Sequence, residues 1–198
     1  MIGFIRSNAT LGRMNLQLCT YGNPVLRKKA EPIQEINESV RALAGEMIAF
    51  MHAERGVGLA AEQIGRTEAL CVIDIPPEAD TDESGTRENP EIAMPLVLIN
   101  PEITARSPER ISCEEGCLSF PGLSATVERH HAVTVRFTEL DGAARELTGK
   151  GLLARAVQHE LDHLNGVLLV DRMSPVKRIA YAGRLKRMVR ETKAAMRD

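Results

Sequence analysis

The sequence predicts an α+β fold: mostly antiparallel strands packed around one central helix, with an N-terminal helix and a C-terminal helix flanking it. Three observations predict it. Strand-like stretches come in neighbouring pairs joined by turn residues. Helical patterns stand at the start, middle and end of the chain rather than alternating with strands. The central helical run, residues 152–164, has strand signals on both sides.

Residues 1–13 read as a loose extension, with Met14 as an alternative start. Residues 14–173 form the expected single domain. The segment 174–198 is a basic helix belonging to it. Gly22-Asn23-Pro24 is turn chemistry. Asn37 is an N-cap for a helix that sets Val40, Leu43, Ala44, Met47 and Met51 on one face, and Gly56 is its stop. His52, at the end of this helix, reads as structural. Residues 69–75 and 96–100 are strands, the second running on to about 106. Between them, residues 76–95 are rich in Pro, Glu, Asp, Ser and Thr, carry a net charge of −5, and read as a flexible acidic surface insertion. Residues 132–140 alternate: Val133, Val135 and Phe137 face one way, Thr134, Arg136 and Thr138 the other. Asp141-Gly142 turns this strand into its partner, 145–148. The central helix stops at Asn165-Gly166. A short strand over 167–170 then leads to Ser174-Pro175, the N-cap and first residue of the last helix.

The bulk numbers bound the rest. A chain of 198 residues with 43% hydrophobic content suits one core, built from Leu, Val, Ile, Ala and Met because aromatics are only 3%. No apolar run is long enough for a bilayer, and the first residues lack the apolar stretch of a signal peptide. Four cysteines show no disulfide spacing, which favours a reducing compartment. Bacterial cytoplasm is expected, with an organelle as the alternative, since residues 1–13 contain Arg and no acid. Neither a membrane nor DNA is expected as a partner. Charge is uneven: residues 174–198 carry +6 and the remainder −8. That segment is either a polyanion-facing surface or a solvated helix face.

The chemistry starts at Gln158-His159-Glu160-Leu161-Asp162-His163. On a helix, His159 and His163 project from one face, one turn apart, and can share a divalent cation. Glu160 is offset, where a carboxylate can reach a metal-bound water without being a ligand. A catalytic site of this kind usually has a third protein ligand. The extended protease pattern would place a third His at position 169, which is Leu169. Glu191 sits among basic residues and is better explained by ion pairing. The remaining candidate is Cys117, in Glu115-Gly116-Cys117-Leu118-Ser119, since a thiolate suits Zn²⁺ or Fe²⁺. The run Gly56-Val57-Gly58-Leu59-Ala60-Ala61-Glu62-Gln63 is either a tight helix-to-strand turn or a substrate-backbone docking loop with Gln63 as a neutral donor.

Taken together and in order, GVGLAAEQ, EGCLS and QHELDH make the chain resemble the peptide deformylase family. The resemblance runs from about Leu16 to the last helix and includes Gly22 to Leu26 and Ile99 to Glu102. It implies that Cys117, His159 and His163 hold one divalent metal ion. Fe²⁺ would be the physiological ion, with Zn²⁺ or Ni²⁺ as substitutes. It implies that Glu160 is general base and then acid, and that Gln63 and the backbone N–H of Leu118 donate to the oxyanion. Val57, Gly58 and Glu115 would line the substrate cleft. The implied reaction is attack of metal-bound hydroxide on the formyl carbon of N-terminal formyl-methionine in new polypeptides, releasing formate. The implied partners are such nascent peptides and, through the basic helix, the ribosome.

Several positions stay two-sided. Glu62 is expected to tune the cleft mouth by its charge. Arg155 faces the His159 side of the helix, where it either walls the methionine-side pocket or pairs with an acid such as Glu115. Asp162 either orients a ligand imidazole or, the favoured reading, pairs with Arg129. His130 and His131 read as structural. A rival from another class joins Cys113 and Cys117 to His159 and His163 as a closed structural zinc site in a nucleic-acid-binding module.

Overall fold

A computed structural model describes residues 16–197. The expected extension over 1–13 and the choice of Met14 as start lie outside the described residues. Asn23 accepts from Val25 N–H at 3.0 Å and opens a one-turn 3-10 helix, Pro24–Arg27. Asn37 caps α1 (Glu38–Ala53), accepting from Val40 N–H at 3.1 Å. The five apolar residues expected on one face of α1 are its buried residues. The left-handed position that ends this helix falls on Arg55, φ 57°, and not on Gly56.

Seven strands follow among the described residues: β1 (Gly58–Ala60), β2 (Leu70–Ile73), β3 (Leu96–Arg106), β4 (Arg110–Gly116), β5 (Ser124–His130), β6 (Ala132–Thr138) and β7 (Ala144–Lys150). Five make an antiparallel sheet in the order β1-β2-β3-β6-β7, and β4 pairs with β5 in a separate ribbon. The β6–β7 hairpin turns at Gly142, φ 89°, as its Asp-Gly predicted. Helices α2 (Gly151–Leu164), α3 (Leu169–Arg172) and α4 (Pro175–Ala195) complete the chain. Ser174 caps α4 by accepting from Lys177 N–H. No helix among the described residues is long and apolar enough to cross a membrane.

The large sheet lies between α1 and α2. Along β2, Leu70 and Val72 pack against α1 while Cys71 and Ile73 pack against α2. Both faces are covered, which is why this strand reads as a continuous apolar run without alternation. A third cluster holds β5, α3 and α4 together through Leu123, Ala125, Val127, Leu168, Val170 and Leu185.

Three expectations need correction. Residues 167–170 do not form a strand; from Leu169 they enter α3. The Asp171 carboxylate accepts from Leu168 N–H at 2.8 Å and closes a helical turn, and a four-residue apolar run carries no period to distinguish the two. Residues 76–95 are not a loose loop. Asp80 and Asn89 are buried, and the Asn89 amide both accepts from Lys150 N–H at 2.9 Å and donates to Lys150 C=O at 3.2 Å. The β4–β5 ribbon is not among the strands expected from the sequence. Its inward positions on β5 are Ala125, Val127 and Arg129, and a charge in that series breaks the apolar alternation.

Candidate metal centre

Helix α2 brings the central motif to the sheet. Its imidazoles at positions 159 and 163 meet edge to face one turn apart, ring centres 5.1 Å from each other. Cys117, just past the end of β4, comes to the same point. The ligand atoms of Cys117, His159 and His163 lie within 4.8 Å of one another, and Cys117 Sγ is 3.2 Å from His163 Nε2. Cys113 is not part of this group, so the closed Cys₂His₂ arrangement does not form.

Each ligand is held from behind. His159 Nδ1–H donates to Glu115 Oε2 at 3.0 Å, which leaves Nε2 for the centre. Glu115 is fixed by a bidentate Arg129, at 2.9 and 3.0 Å. Arg129 also donates to Asp162 at 2.6 Å, the pairing expected for that acid, and Arg172 joins from the outside. Burial opposes the Glu115 charge, but the hydrogen bonds from His159 and Arg129 outweigh it and hold the carboxyl at about 2. Burial pushes His163 well below the usual histidine range, into the neutral form that ligates. A thiolate and two imidazoles, with a carboxylate behind one of them, are a fitting donor set for one divalent cation of borderline softness.

Glu160 is 4% exposed, and its Oε2 has no hydrogen-bond partner among the described residues. Burial first, then the charges of Glu115 and Asp162, push it up to about 7 against the opposing His159 and Arg129. Gly58 makes its position attainable: a Cβ there would overlap the Glu160 carboxylate. Gln63 is oriented by its own turn. Its Oε1 accepts from Ala60 N–H at 2.9 Å, so Nε2 must face Ser119 Oγ at 3.3 Å and Cys117 Sγ at 3.6 Å. The N–H of Leu118 makes no backbone hydrogen bond among the described residues. These groups open onto a cleft of 510 Å³ lined by Val57, Gly58, Leu118, Leu152 and Arg155 among others. That volume suits a few residues of an extended peptide or a small ligand.

Two expectations fail here. Glu62 does not face the cleft mouth; it is fully buried. Arg155 does not pair with Glu115, whose oxygens are taken by Arg129 and His159. Arg129, expected only beside Asp162, also anchors Glu115. The signal was there: an arginine at the third inward position of a strand whose other inward residues are Ala125 and Val127. His130 and His131 are structural, as read. Nδ1 of His130 donates to Ser107 C=O at 2.6 Å, and His131 faces Glu88 at 3.5 Å.

The model of the polypeptide deformylase family matches residues 15–179. A peptide deformylase from Opitutus terrae is 43% identical over 187 residues, covering 92% of this chain and 97% of that protein. One from Acidobacterium capsulatum is 45% identical over 170 residues, covering 86% and 93%. Among solved structures, a peptide deformylase from Synechococcus elongatus in complex with actinonin is 38% identical with a TM-score of 0.75, covering 88% of this chain and 90% of that one. The Thermotoga maritima peptide deformylase is also 38% identical, with a TM-score of 0.70 and coverage of 81% and 98%.

Proposed function

We infer, from the premise that the chain belongs to the polypeptide deformylase family, that this enzyme removes the formyl group from N-formyl-methionyl ends of new polypeptides, with the residues around Cys117 as its machinery. The observation that carries the residue assignment is the meeting of one thiol and two imidazoles beside a buried carboxyl, one oxygen of which has no hydrogen-bond partner among the described residues, on a peptide-sized cleft.

Cys117, His159 and His163 would hold the cation. A divalent ion there supplies Lewis acidity and lowers the pKa of a water, to about 7 in zinc hydrolases. Glu160 takes the proton of the attacking water at Oε2 as the water oxygen bonds to the formyl carbon. A group that titrates near 7 is matched to this exchange at neutral pH, since it can give the same proton to the departing amine. The C–N bond then breaks, and formate and a free amino terminus result. Gln63 Nε2 and Leu118 N–H would donate to the developing oxyanion, each worth about 3 kcal/mol in such a role. Gln63 does so without adding a charge beside the cation. Glu115 and Arg129 keep the His159 ring in place. Val57, Gly58, Glu115 and Arg155 would contact the substrate.

Fe²⁺ is the proposed physiological ion, although a site of this kind binds Zn²⁺ more tightly on the usual divalent ordering. Both Fe²⁺ and a thiolate at Cys117 are oxidisable, so activity should fall in air. The basic face of α4 is proposed to dock on ribosomal RNA. The test of the reaction is formate release from a formyl-methionyl tripeptide, with protein prepared without oxygen and loaded with Fe²⁺. The parent should turn over, and Glu160→Ala should lose activity by at least about a hundredfold while keeping its metal. A folded, metal-loaded parent that releases no formate would overturn the assignment.

A further inference from the structure

Ser119 is fully buried and does not line the cleft, yet it carries a hydroxyl. A buried hydroxyl costs free energy unless it is hydrogen-bonded, and alanine would sit there without that cost. Among the described residues its Oγ has one hydrogen-bond partner, the side-chain amide of Gln63, which donates to it at 3.3 Å. One short segment holds both residues by their backbones. Cys19 N–H donates to Gln63 C=O at 2.7 Å, and Tyr21 N–H donates to Ser119 C=O at 2.9 Å. Residues 19–21 thus bridge the 3-10 turn Ala61–Ile64, which carries Gln63, to the segment that follows Cys117.

The Gln63 amide offers one oxygen and two hydrogens in a single plane. The oxygen is spent on Ala60 N–H at 2.9 Å, which fixes the end at which Nε2 lies. One hydrogen is spent on Ser119. The other is left on the side of Cys117 Sγ, 3.6 Å from Nε2, where the candidate ligands meet. We propose that Ser119 is a positioning residue: its buried hydroxyl occupies one hydrogen of the Gln63 amide and so aims the other at the place of the reacting carbonyl oxygen. This rests on the reading of Gln63 as oxyanion donor. Ser119 is not one of the candidate ligands and acts through Gln63 alone. Without it the amide plane is pinned only at Oε1, and a donor that wanders off the developing charge loses much of its effect.

The test measures kcat and KM on a formyl-methionyl tripeptide for the metal-loaded parent, Ser119→Ala, Ser119→Cys, Gln63→Ala and the double variant Gln63→Ala, Ser119→Ala. Ser119→Ala should lower kcat by about tenfold and leave KM within about twofold of the parent. Ser119→Cys keeps the shape with a much weaker acceptor and should do the same, which guards against a loss caused by packing alone. In the Gln63→Ala background, removing the hydroxyl should cost nothing further. A tenfold loss there as well would overturn the proposal, because Ser119 would then act through another group. So would Ser119→Ala with the kcat of the parent. A second measurement needs no turnover: hydrogen exchange of the Gln63 side-chain amide, followed by NMR on Zn²⁺-loaded protein isotope-labelled at glutamine. Exchange should be at least about tenfold faster in Ser119→Ala than in the parent, with the backbone amides of β1 and β2 unchanged. Equal exchange in the two proteins would overturn the clamp. If the parent releases no formate while the amide responds in this way, the deformylase reading falls and the hold of Ser119 on Gln63 stands.

Discussion

Glu62 is fully buried in the 3-10 turn Ala61–Ile64, and neither of its carboxyl oxygens has a hydrogen-bond partner among the described residues. Burial, helped by the charges of Glu160 and Glu68, pushes its pKa from 4.5 up to about 8. The native group therefore keeps a proton that the unfolded chain gives up above pH 4.5. Between those two values the folded state binds more protons than the unfolded one, so stability falls as pH rises. By pH 8 the loss is on the order of 4 kcal/mol. Glu115 has the opposite sign: its carboxyl is held at about 2, and its contribution is present above 4.5 and lost as pH falls from 4.5 through about 2. Glu62→Gln keeps the shape and removes the ionisation. It should be more stable than the parent at pH 8, by up to about 4 kcal/mol, and nearly equal to it at pH 4.5. Urea unfolding at the two pH values reads this directly. Superimposable curves at pH 8 would mean that the Glu62 carboxylate finds a counter-charge in solution.

Helix α2 carries two of the three candidate ligands, so what fixes its first turn fixes the centre. That role falls to the acidic insertion. Asn89 closes a two-way hydrogen bond with the backbone of Lys150, the residue before Gly151, and the Asp80 carboxylate accepts from Asn89 N–H at 3.1 Å. Asn89→Ala would leave both Lys150 groups without these partners and remove the side-chain amide that also donates to Asp80, while the backbone N–H bond to Asp80 stays, and should lower stability by about 2–3 kcal/mol. Ser84→Ala, on the exposed tip of the same segment, should change it little. Denaturant midpoints of the two variants check this; equal midpoints would mean the insertion anchors nothing. The insertion illustrates what the sequence hides. Its composition reads as disorder, because the residue that ties it down, Asn89, itself held by Asp80, has its partner some sixty positions away. The same is true of Arg129, whose acids lie on β4 and α2. What was legible is local. Asn37, Ser174 and Asp141-Gly142 announce caps and a turn through residues three positions apart or fewer. The spacing of His159, Glu160 and His163 is readable because one helix holds all three. Cys117 could be named as the third ligand only by comparing candidates, since nothing within a helical turn of it points to α2.

Across the whole molecule the charge runs from −8 over residues 1–173 to +6 over 174–198, and α4 gives that asymmetry a shape. The helix faces the body through Leu185, Val189 and Thr192; Val189 sits against Gly22, and Thr192 donates to Tyr21 C=O at 3.0 Å. A second row, Lys186, Arg190, Lys193 and Arg197, follows the i, i+4, i+7, i+11 spacing, so it forms one cationic stripe. All four are exposed. Lys186, Arg190 and Lys193 form no ion pair among the described residues, unlike Arg187, which donates to Glu191 at 2.7 Å. A stripe of free cations attracts a phosphate backbone by releasing its counterions, and the attraction then falls steeply with salt. The proposed docking on ribosomal RNA thus predicts a definite dependence. The triple variant Lys186→Glu, Arg190→Glu, Lys193→Glu should co-sediment with ribosomes at least about tenfold more weakly at low salt, and its log–log salt slope should be shallower by about 2 to 3. Formate release from a free tripeptide should not change, because none of the three residues lines the cleft. Undiminished co-sedimentation at low salt would reduce the stripe to a solvated face, and the excess positive charge at the end of the chain would then serve solubility alone.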